Sequence, residues 1–263
     1  MKDMIDVQNM PDYRHIEVDK AGVKNLRYPI IVLDKAKGTQ STIASINMYV
    51  GLPHQFKGTH MSRFIEIIDE FHNKLISLKV IKKILQTMKE RLNAVSAHLE
   101  IEFPYFIEKE APVSKARGLM AYMCRFIGSL KEKIDLVVGV KVPICTLCPC
   151  SKEISEFGAH NQRGVVDLKI RFKKFMWLED IIKIVEEAGS SEVFSILKRA
   201  DEKYVTEHAY LNPKFVEDVV RDIAKRLLDD PNVTWFSVEA ENFESIHNHN
   251  AYAYIKREKD LKL

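Results

Sequence analysis

Long apolar runs are absent from the sequence, and so is any strong excess of charge of one sign. No run approaches the roughly 18 apolar residues that mark a membrane-spanning helix. Residues 1–20 are polar and lack the apolar segment of a signal peptide, so we expect a soluble, cytoplasmic protein without a membrane partner. The net charge of +3 is too small to indicate a nucleic-acid partner by itself.

Cysteine is also scarce, with four residues in 263, and three of these lie within 145–150. This is the wrong distribution for a small secreted domain that is held together by disulfides. In a chain expected to be cytosolic, such a cluster more often indicates a metal site or catalysis. Because 46% of the residues are hydrophobic, the chain can bury a full core, in one large domain or two smaller ones.

The first half of the chain is predicted to contain two strands, two helices and two strands, in that order. Strands are predicted where β-branched and aromatic residues dominate, with a turn at Lys37 and Gly38. Helices are predicted where apolar residues recur at helical spacing, which places Phe64, Ile65 and Ile68 on one face. The strands are predicted at 28–34, 40–52, 95–109 and 116–130, and the helices at 61–78 and 79–94.

The second half repeats this order of elements without repeating the sequence. Asn212 is predicted to cap its second helix, with Pro213 at the first helical position. Two polar segments, 148–163 and 199–211, are predicted to be loops rich in possible metal ligands. The pattern favours tandem ββααββ modules over a single mixed α/β domain. The strands are predicted at 135–147, 164–174, 232–245 and 251–257, and the helices at 175–189 and 212–230.

The first group of possible ligands consists of Cys145, Cys148 and Cys150, followed by His160. Thiolate and imidazole groups both bind zinc and similar divalent ions. Cys145 falls on a strand pattern, where a buried and inert cysteine is an equally good interpretation. A structural zinc knot is disfavoured, because it needs a second cysteine pair and only Cys124 remains. A redox CxxC pair is weaker still, since that motif should open a helix.

A second group lies in 197–213, where Asp201, Glu202, Glu207 and His208 are candidates for a third ligand. A catalytic metal site commonly takes three protein ligands and leaves one position for water. The alternative interpretation is an ordinary solvated loop.

A third group lies in 238–253 and contains Glu244, His247 and His249. Carboxylate and imidazole groups suit proton transfer near neutral pH, and they also serve as partners of metal ligands. A surface loop with incidental histidines is the alternative.

Long segments of the chain carry a resemblance to a known family: CTLCPCSKEISEFGAHNQRG (145–164), DEKYVTEHAYLNPKFVEDVVRD (201–222) and ENFESIHNHNAY (241–252). The stretches at 6–30 and 50–64 agree with it as well. The sequence resembles the prokaryotic type IB GTP cyclohydrolase I family over nearly its whole length. No position of these motifs departs from the family pattern.

The resemblance implies an α+β tunnelling fold with antiparallel sheets and two tandem ββααββ modules in each subunit. It implies an N-terminal extension at 1–27, a first module at 28–131, and a second module at 132–263 that carries the metal site. The implied assembly is a homotetramer with active sites at subunit interfaces. The implied reaction is hydrolysis of GTP at purine C8, which releases formate and forms 7,8-dihydroneopterin triphosphate, the first step toward tetrahydrofolate and, in many bacteria, queuosine.

The resemblance also assigns roles to individual residues. It places one divalent ion, Zn²⁺, Mn²⁺ or Fe²⁺, on Cys148, His160 and Glu202. Cys148 is therefore central to catalysis, and Glu244 and His247 are expected to move protons. Cys150 matches the family motif but has no clear role, so a direct or indirect part in the site stays open. The substrate-binding residues that the resemblance implies, or that offer cations and N–H donors for a triphosphate, are Glu217 for the purine and Lys57, His60, Ser62, Arg63, Lys152 and Arg163 for the phosphates.

Two other functions are weighed against this one. One is a different enzyme of the same fold, such as a 6-carboxytetrahydropterin synthase or a nitrile-forming reductase that uses a catalytic cysteine and NADPH. The His160, Glu202 and His247 set favours a metal hydrolase over that reductase. A non-catalytic zinc-binding or nucleic-acid-binding module would need a closed four-ligand site or clustered basic and aromatic residues. Neither pattern is visible in the sequence.

Overall fold

The computed structural model describes residue 8 and residues 10–259, and this part of the chain forms eight β-strands and six α-helices. The strands make one antiparallel sheet in which each strand lies beside its sequence neighbours, from β1 to β8. The elements are β1 (Val18–Asp34), β2 (Gly38–Leu52), α1 (Met61–Asp69), α2 (Leu78–Arg91), β3 (Ala97–Glu110), β4 (Arg117–Leu130), β5 (Ile134–Leu147), α3 (Pro149–Ile154), β6 (Asn161–Phe172), α4 (Leu178–Glu186), α5 (Arg199–Leu211), α6 (Val216–Asp229), β7 (Val233–Asn242) and β8 (Ala251–Glu258).

The chain divides into two compact units. Unit 1 comprises the described residues up to Pro104 together with Arg125–Val137. Its sheet buries alternate side chains, such as Ile46 and Met48, while α1 and α2 bury apolar faces that include Phe64 and Leu85. Apolar residues that alternate with period 2 place one face of a strand in the core, and apolar residues that recur with period 3.6 place one face of a helix there.

Unit 2 comprises Tyr105–Cys124 and the described residues from Val138 onward. Strands β5, β6, β7 and β8 pair in sequence, and the pairs Thr146↔Gln162 and Leu168↔Val238 illustrate the register. Helices α4 and α6 bury apolar faces that include Ile181 and Ile223. The opposite edge of each helix is polar, as expected for a helix that covers one face of a sheet.

A buried polar network in unit 2 holds the segment that leads into α5. Lys109 Nζ lies 2.7 Å from Glu186 Oε1 and 2.7 Å from Glu192 Oε2, and it donates to the carbonyl of Val193 at 3.0 Å. The Tyr122 hydroxyl donates to the same Glu186 oxygen at 2.6 Å. Burial, together with this carboxylate, raises the pKa of Tyr122 well above its usual value. Paired in this way, the buried charges fix the chain before α5.

The predicted elements of unit 1 are confirmed, but two of their limits are wrong. β1 begins at Val18, not at 28, so part of the predicted extension at 1–27 is strand, while residues 1–7 and 9 lie outside the described residues. The helix predicted at 61–78 ends at Asp69, and Asn73 has a φ of 60° in the turn that follows. Ile65, predicted on the apolar face, is 40% exposed, and Ile67 is buried in its place.

In unit 2 the main correction concerns the segments that were predicted to be loops. Residues Arg199–Leu211 form α5, and Pro149–Ile154 form the short helix α3. Asn212 lies at the C-terminal end of α5 and does not begin α6, whose N-cap is Phe215. The predicted module boundary between 131 and 132 stays a prediction. Among the described residues, no helix is long and apolar enough to cross a membrane.

Candidate metal and purine site

The loop between β5 and β6 brings Cys148 and His160 side by side. Cys148 is the N-cap of α3, and its sulfur accepts a hydrogen bond from the Ser151 N–H at 3.4 Å. The Cys148 N–H donates to the carbonyl of His160 at 3.1 Å. The Ser151 hydroxyl donates to the Cys148 carbonyl and accepts from the His160 N–H, both at 3.2 Å. These bonds close the loop and place two good metal donors at its neck.

The His160 ring is largely enclosed and faces a carboxylate. Its Nδ1 lies 2.9 Å from Gln162 Oε1, 3.5 Å from the Ser245 hydroxyl and 4.0 Å from Glu244 Oε2. Only 14% of the His160 side chain and 13% of the Glu244 side chain are exposed. The structure therefore joins the first and third predicted groups through His160 and Glu244.

The remaining cysteines differ in their surroundings. Cys124 is buried, whereas Cys150 is exposed on α3. Cys145 is half-buried, and its backbone N–H donates to the carbonyl of Ser191. Burial raises the pKa of the Cys145 thiol, which disfavours the thiolate that a metal requires. This supports the interpretation of Cys145 as inert.

Helix α5 uses one of the four candidate ligands of the second group to hold itself in place. Asp201 is fully buried, and its carboxylate accepts hydrogen bonds from the N–H groups of Val113, Ser114 and Lys198, each at 2.8 Å. The Ser114 hydroxyl donates to it as well, at 2.5 Å. With both oxygens engaged, Asp201 serves as an anchor of α5 and is not available to a metal.

The other three candidates of α5 are exposed. Glu207 lies 3.7 Å from Lys203, and the His208 ring stacks on Tyr204 with a centroid distance of 5.6 Å. Glu202 is exposed and directly follows Asp201 at the start of α5. The hydrogen bonds of Asp201 therefore fix the backbone position of Glu202. Among residues 8 and 10–259, no three His, Cys, Asp or Glu side chains are close enough together to hold a metal ion. The predicted Cys148, His160 and Glu202 set is thus assembled only in its first two members.

Two side chains and one backbone N–H connect the Cys148 loop, the end of β5 and the segment after α4 to residues 210–214. Lys152 Nζ donates to the carbonyl of Tyr210 at 2.6 Å and lies 4.4 Å from the centre of that ring. The Asn212 amide donates to the Gly189 carbonyl at 3.1 Å, and the Lys214 N–H donates to the Leu147 carbonyl at 3.1 Å. Lys152, predicted as a phosphate ligand, therefore binds the C-terminal end of α5 in this structure.

The other predicted residues of unit 2 are exposed. Glu217 is the second residue of α6, and Arg163 lies opposite Cys145 in the β5–β6 register. His247 stacks on His249 with a centroid distance of 5.2 Å, between β7 and β8. Glu217 and His247 are accessible to a ligand, but the contacts described for them do not assign a role to either.

The predicted phosphate ligands of unit 1 lie at the start of α1. His60 is the N-cap, and Ser62 and Arg63 lie in the first turn. Arg63 Nη1 donates to the carbonyl of Arg91 at 3.2 Å, and the backbone N–H of Lys57 donates to the carbonyl of Met10 at 3.0 Å. His60 and Arg63 line one small cavity of unit 1. A larger cavity of about 320 Å³, lined by the beginnings of β1 and β3 and the ends of β2 and β4, contains none of the predicted site residues.

Sequence reasoning missed two residues that hold the site together, Ser151 and Gln162. Both lie inside the motif that was singled out, one three residues after Cys148 and the other two after His160. The sequence gives only weak signals for both residues. Ser151 is simply a serine in the first turn of a helix, and Gln162 is a glutamine two residues after a histidine. Only the closed loop and the strand register show what they contact.

Solved structures share this fold at very low sequence identity. Uricase from Arthrobacter globiformis matches with a TM-score of 0.56 at 7% identity, covering 93% of this chain and 94% of the uricase. Urate oxidase from Bacillus sp. TB-90 matches with a TM-score of 0.54 at 8% identity, covering 92% of this chain and 100% of the oxidase. The likeness shows the fold alone, and it confirms the predicted tunnelling fold with tandem modules.

Sequence comparison is far more specific. The profile of a family described as "Type I GTP cyclohydrolase folE2" matches residues 4–253. The GTP cyclohydrolase FolE2 of Syntrophus aciditrophicus (strain SB) is 63% identical over 256 residues, covering 97% of this chain and 100% of that protein. The GTP cyclohydrolase FolE2 of Syntrophobacter fumaroxidans is 62% identical over 258 residues, covering 97% and 100%. The chain belongs to the type I GTP cyclohydrolase FolE2 family.

Proposed function

We propose that the protein hydrolyses GTP at C8 of the purine, releases formate and forms 7,8-dihydroneopterin triphosphate, the entry step of tetrahydrofolate synthesis. The observation that carries the proposal is the closed loop that sets Cys148 beside His160, with Glu244 Oε2 4.0 Å from the imidazole. A sulfur donor, a nitrogen donor and a nearby carboxylate are what a metal-assisted hydrolysis requires. The names of the relatives support GTP as the substrate.

Cys148 and His160 would hold a divalent ion, with Glu202 as the third ligand. The donor set fits, because the loop hydrogen bonds preposition both residues and the His160 Nδ1 already has a neighbour, which leaves Nε2 for a metal. When bound, such an ion lowers the pKa of a water ligand toward neutrality. Glu202 must approach from the exposed start of α5, which Asp201 holds in position.

The protein's own side chains would carry the proton transfers and bind the substrate. Glu244, whose Oε2 lies 4.0 Å from His160 Nδ1, accepts a proton from water and returns it during ring opening. His247 supplies an imidazole as a second group for proton transfer. Glu217 accepts from the purine amide N–H and exocyclic amine, as a carboxylate can at both of its oxygens.

The triphosphate would be bound by cationic side chains and N–H groups at the start of α1. His60, Ser62 and Arg63 lie there, Lys57 precedes His60 by three residues in the chain, and a helix N-terminus favours anions. Lys152 and Arg163 are further candidates from unit 2. We propose a homotetramer in which neighbouring subunits complete each active site, and queuosine synthesis as a second use of the product.

The reaction is tested on chelator-stripped protein incubated with GTP, with and without added Mn²⁺ or Zn²⁺. Metal-dependent formate is expected, with an equal amount of neopterin detected by fluorescence after oxidation. Absence of formate with every metal would overturn the proposed reaction. Consumption of NADPH would instead indicate a reductase of the same fold.

Replacement of Arg63 by alanine is expected to raise KM for GTP about tenfold or more, because a charge-assisted hydrogen bond contributes roughly 1.5–3 kcal/mol. The kcat and the metal content should change little. Arg91→Ala is the matched control, since Arg91 is an exposed arginine that pairs with Glu70 on the helix side of the same unit. Loss of metal without a change in KM would contradict the assignment.

A further inference from the structure

Two buried side chains hold the His160 ring from behind. Gln162 Oε1 lies 2.9 Å from His160 Nδ1, and Gln162 Nε2 donates to the Thr146 hydroxyl at 3.0 Å. Thr146 and Gln162 are directly opposite each other on β5 and β6. Thr146 is fully buried and Gln162 is 7% exposed. Glutamine is seldom so deeply buried, and both ends of this amide have the partners that a buried polar group requires.

The arrangement has a direct consequence for the imidazole. A neutral histidine protonates one ring nitrogen and leaves the other as an acceptor. When Thr146 holds the Gln162 amide nitrogen, the amide oxygen faces His160 Nδ1, and an oxygen there accepts only from a protonated nitrogen. Nδ1 then carries the proton, and Nε2 keeps the lone pair that a metal binds.

We propose that Gln162, held by Thr146, is a positioning residue that fixes His160 in its Nδ1–H tautomer and directs Nε2 toward the metal position. The proposal rests on the proposed function only in taking His160 as a metal ligand. It adds a role that the motif alone does not assign, since Gln162 itself touches neither metal nor substrate.

Other groups near Nδ1 are less well placed to fix the tautomer. The Ser245 hydroxyl is 3.5 Å away and exposed, and it can act as donor or acceptor. Glu244 Oε2 is 4.0 Å away, beyond hydrogen-bond distance. Gln162 is the nearest of the three. It lies on β6 opposite Thr146 of β5, whereas Glu244 and Ser245 lie in the segment between β7 and β8.

The tautomer is measured directly in metal-free protein by two-bond ¹H–¹⁵N NMR correlation of the histidine rings, with His160 assigned by its absence in His160→Gln. In the unsubstituted protein His160 is expected as the Nδ1–H form. In Gln162→Met, which keeps the length but removes the acceptor, the Nε2–H form is expected to increase at its expense. Gln162→Glu restores an acceptor oxygen and should restore the Nδ1–H form.

Metal affinity provides the second readout, by competition of a chromophoric chelator for Zn²⁺ and, separately, Mn²⁺. Gln162→Met is expected to weaken binding about 10- to 100-fold, the usual effect of removing a partner of a ligating histidine. Gln162→Glu should stay within about threefold of the unsubstituted protein. If Gln162→Met does not fold, Thr146→Val is compared with Thr146→Ser instead. The tautomer shift and the weaker metal binding are then expected only for Thr146→Val.

An unchanged His160 tautomer and unchanged metal affinity in folded Gln162→Met would overturn the proposal. A loss of affinity that Gln162→Glu does not restore would also overturn it, since it would show a packing effect. Neither readout uses GTP. A protein that shows both expected shifts but releases no formate would therefore refute the proposed function and leave this inference standing.

Discussion

Replacement of Cys148 by alanine is expected to abolish metal-dependent formate release, with a loss in kcat/KM on the order of 10³-fold or more. Metal assistance contributes several kcal/mol to hydrolysis, and each 1.4 kcal/mol is about a tenfold change in rate. The backbone bond between Cys148 and His160 places the Cys148 sulfur at the neck of the loop. Alanine keeps this bond but removes the sulfur ligand. Formate assays and metal analysis of the purified variant check the result.

Cys145→Ala is the matched control for this substitution. Cys145 lies three residues earlier at the end of β5, and burial already raises the pKa of its thiol. We expect this variant to retain metal and most of its activity. Retention of more than a tenth of the activity by Cys148→Ala, or an equal loss in both variants, would contradict the assignment of Cys148.

Much of the fold follows from periodicity in the sequence. Strands β5, β6, β7 and β8 form within about three residues of the limits that their strand-like composition predicts. The opposite is true of α5, which buries only Asp201 and Ala209 along its length. A helix with so little apolar surface gives a weak periodic signal, so the sequence predicted a loop there.

The limits of the helices depend on contacts that a single sequence does not reveal. Asn212 has the side chain of a typical N-cap, yet its amide bonds the carbonyls of Gly189 and Ser190, more than twenty residues away. The early end of α1 follows from the turn at Asn73, where an asparagine adopts a positive φ. A tertiary contact decided the first case, and a local turn decided the second.

The candidate site was predictable as a set of residues and not as an arrangement. The spacing of Cys148, His160 and Glu244 is recognisable, but their meeting depends on the β5–β6 loop and on the turn after β7. Asp201 illustrates this, since the residue pattern alone offered four candidate ligands between positions 201 and 208 and did not separate them. Burial separated them, because only Asp201 faces the N–H groups of the β3–β4 turn.

Asp201→Asn is expected to lower the Tm by roughly 10 °C at pH 7. Asparagine keeps one acceptor oxygen, so its NH₂ group faces either the N–H groups of Val113 and Ser114 or the Lys198 N–H together with the Ser114 hydroxyl. Buried donors left without an acceptor cost stability. The start of α5 should loosen as well, so we expect weaker metal binding through Glu202. Differential scanning calorimetry and the chelator competition measure the two effects.

The effect of Asp201→Asn should depend on pH in a defined direction. Burial alone raises the pKa of Asp201, but the hydrogen bonds from Ser114, Lys198 and Val113 outweigh it and hold the pKa well below its usual value. A pKa that is lower in the folded state adds stability above the unfolded value of about 4, and this stability is lost as the pH falls toward the folded pKa. The Tm difference between the unsubstituted protein and Asp201→Asn should therefore be largest near pH 7 and shrink below about pH 4. A Tm difference that is constant from pH 7 to pH 3 would show that the charge of Asp201 does not stabilise the fold.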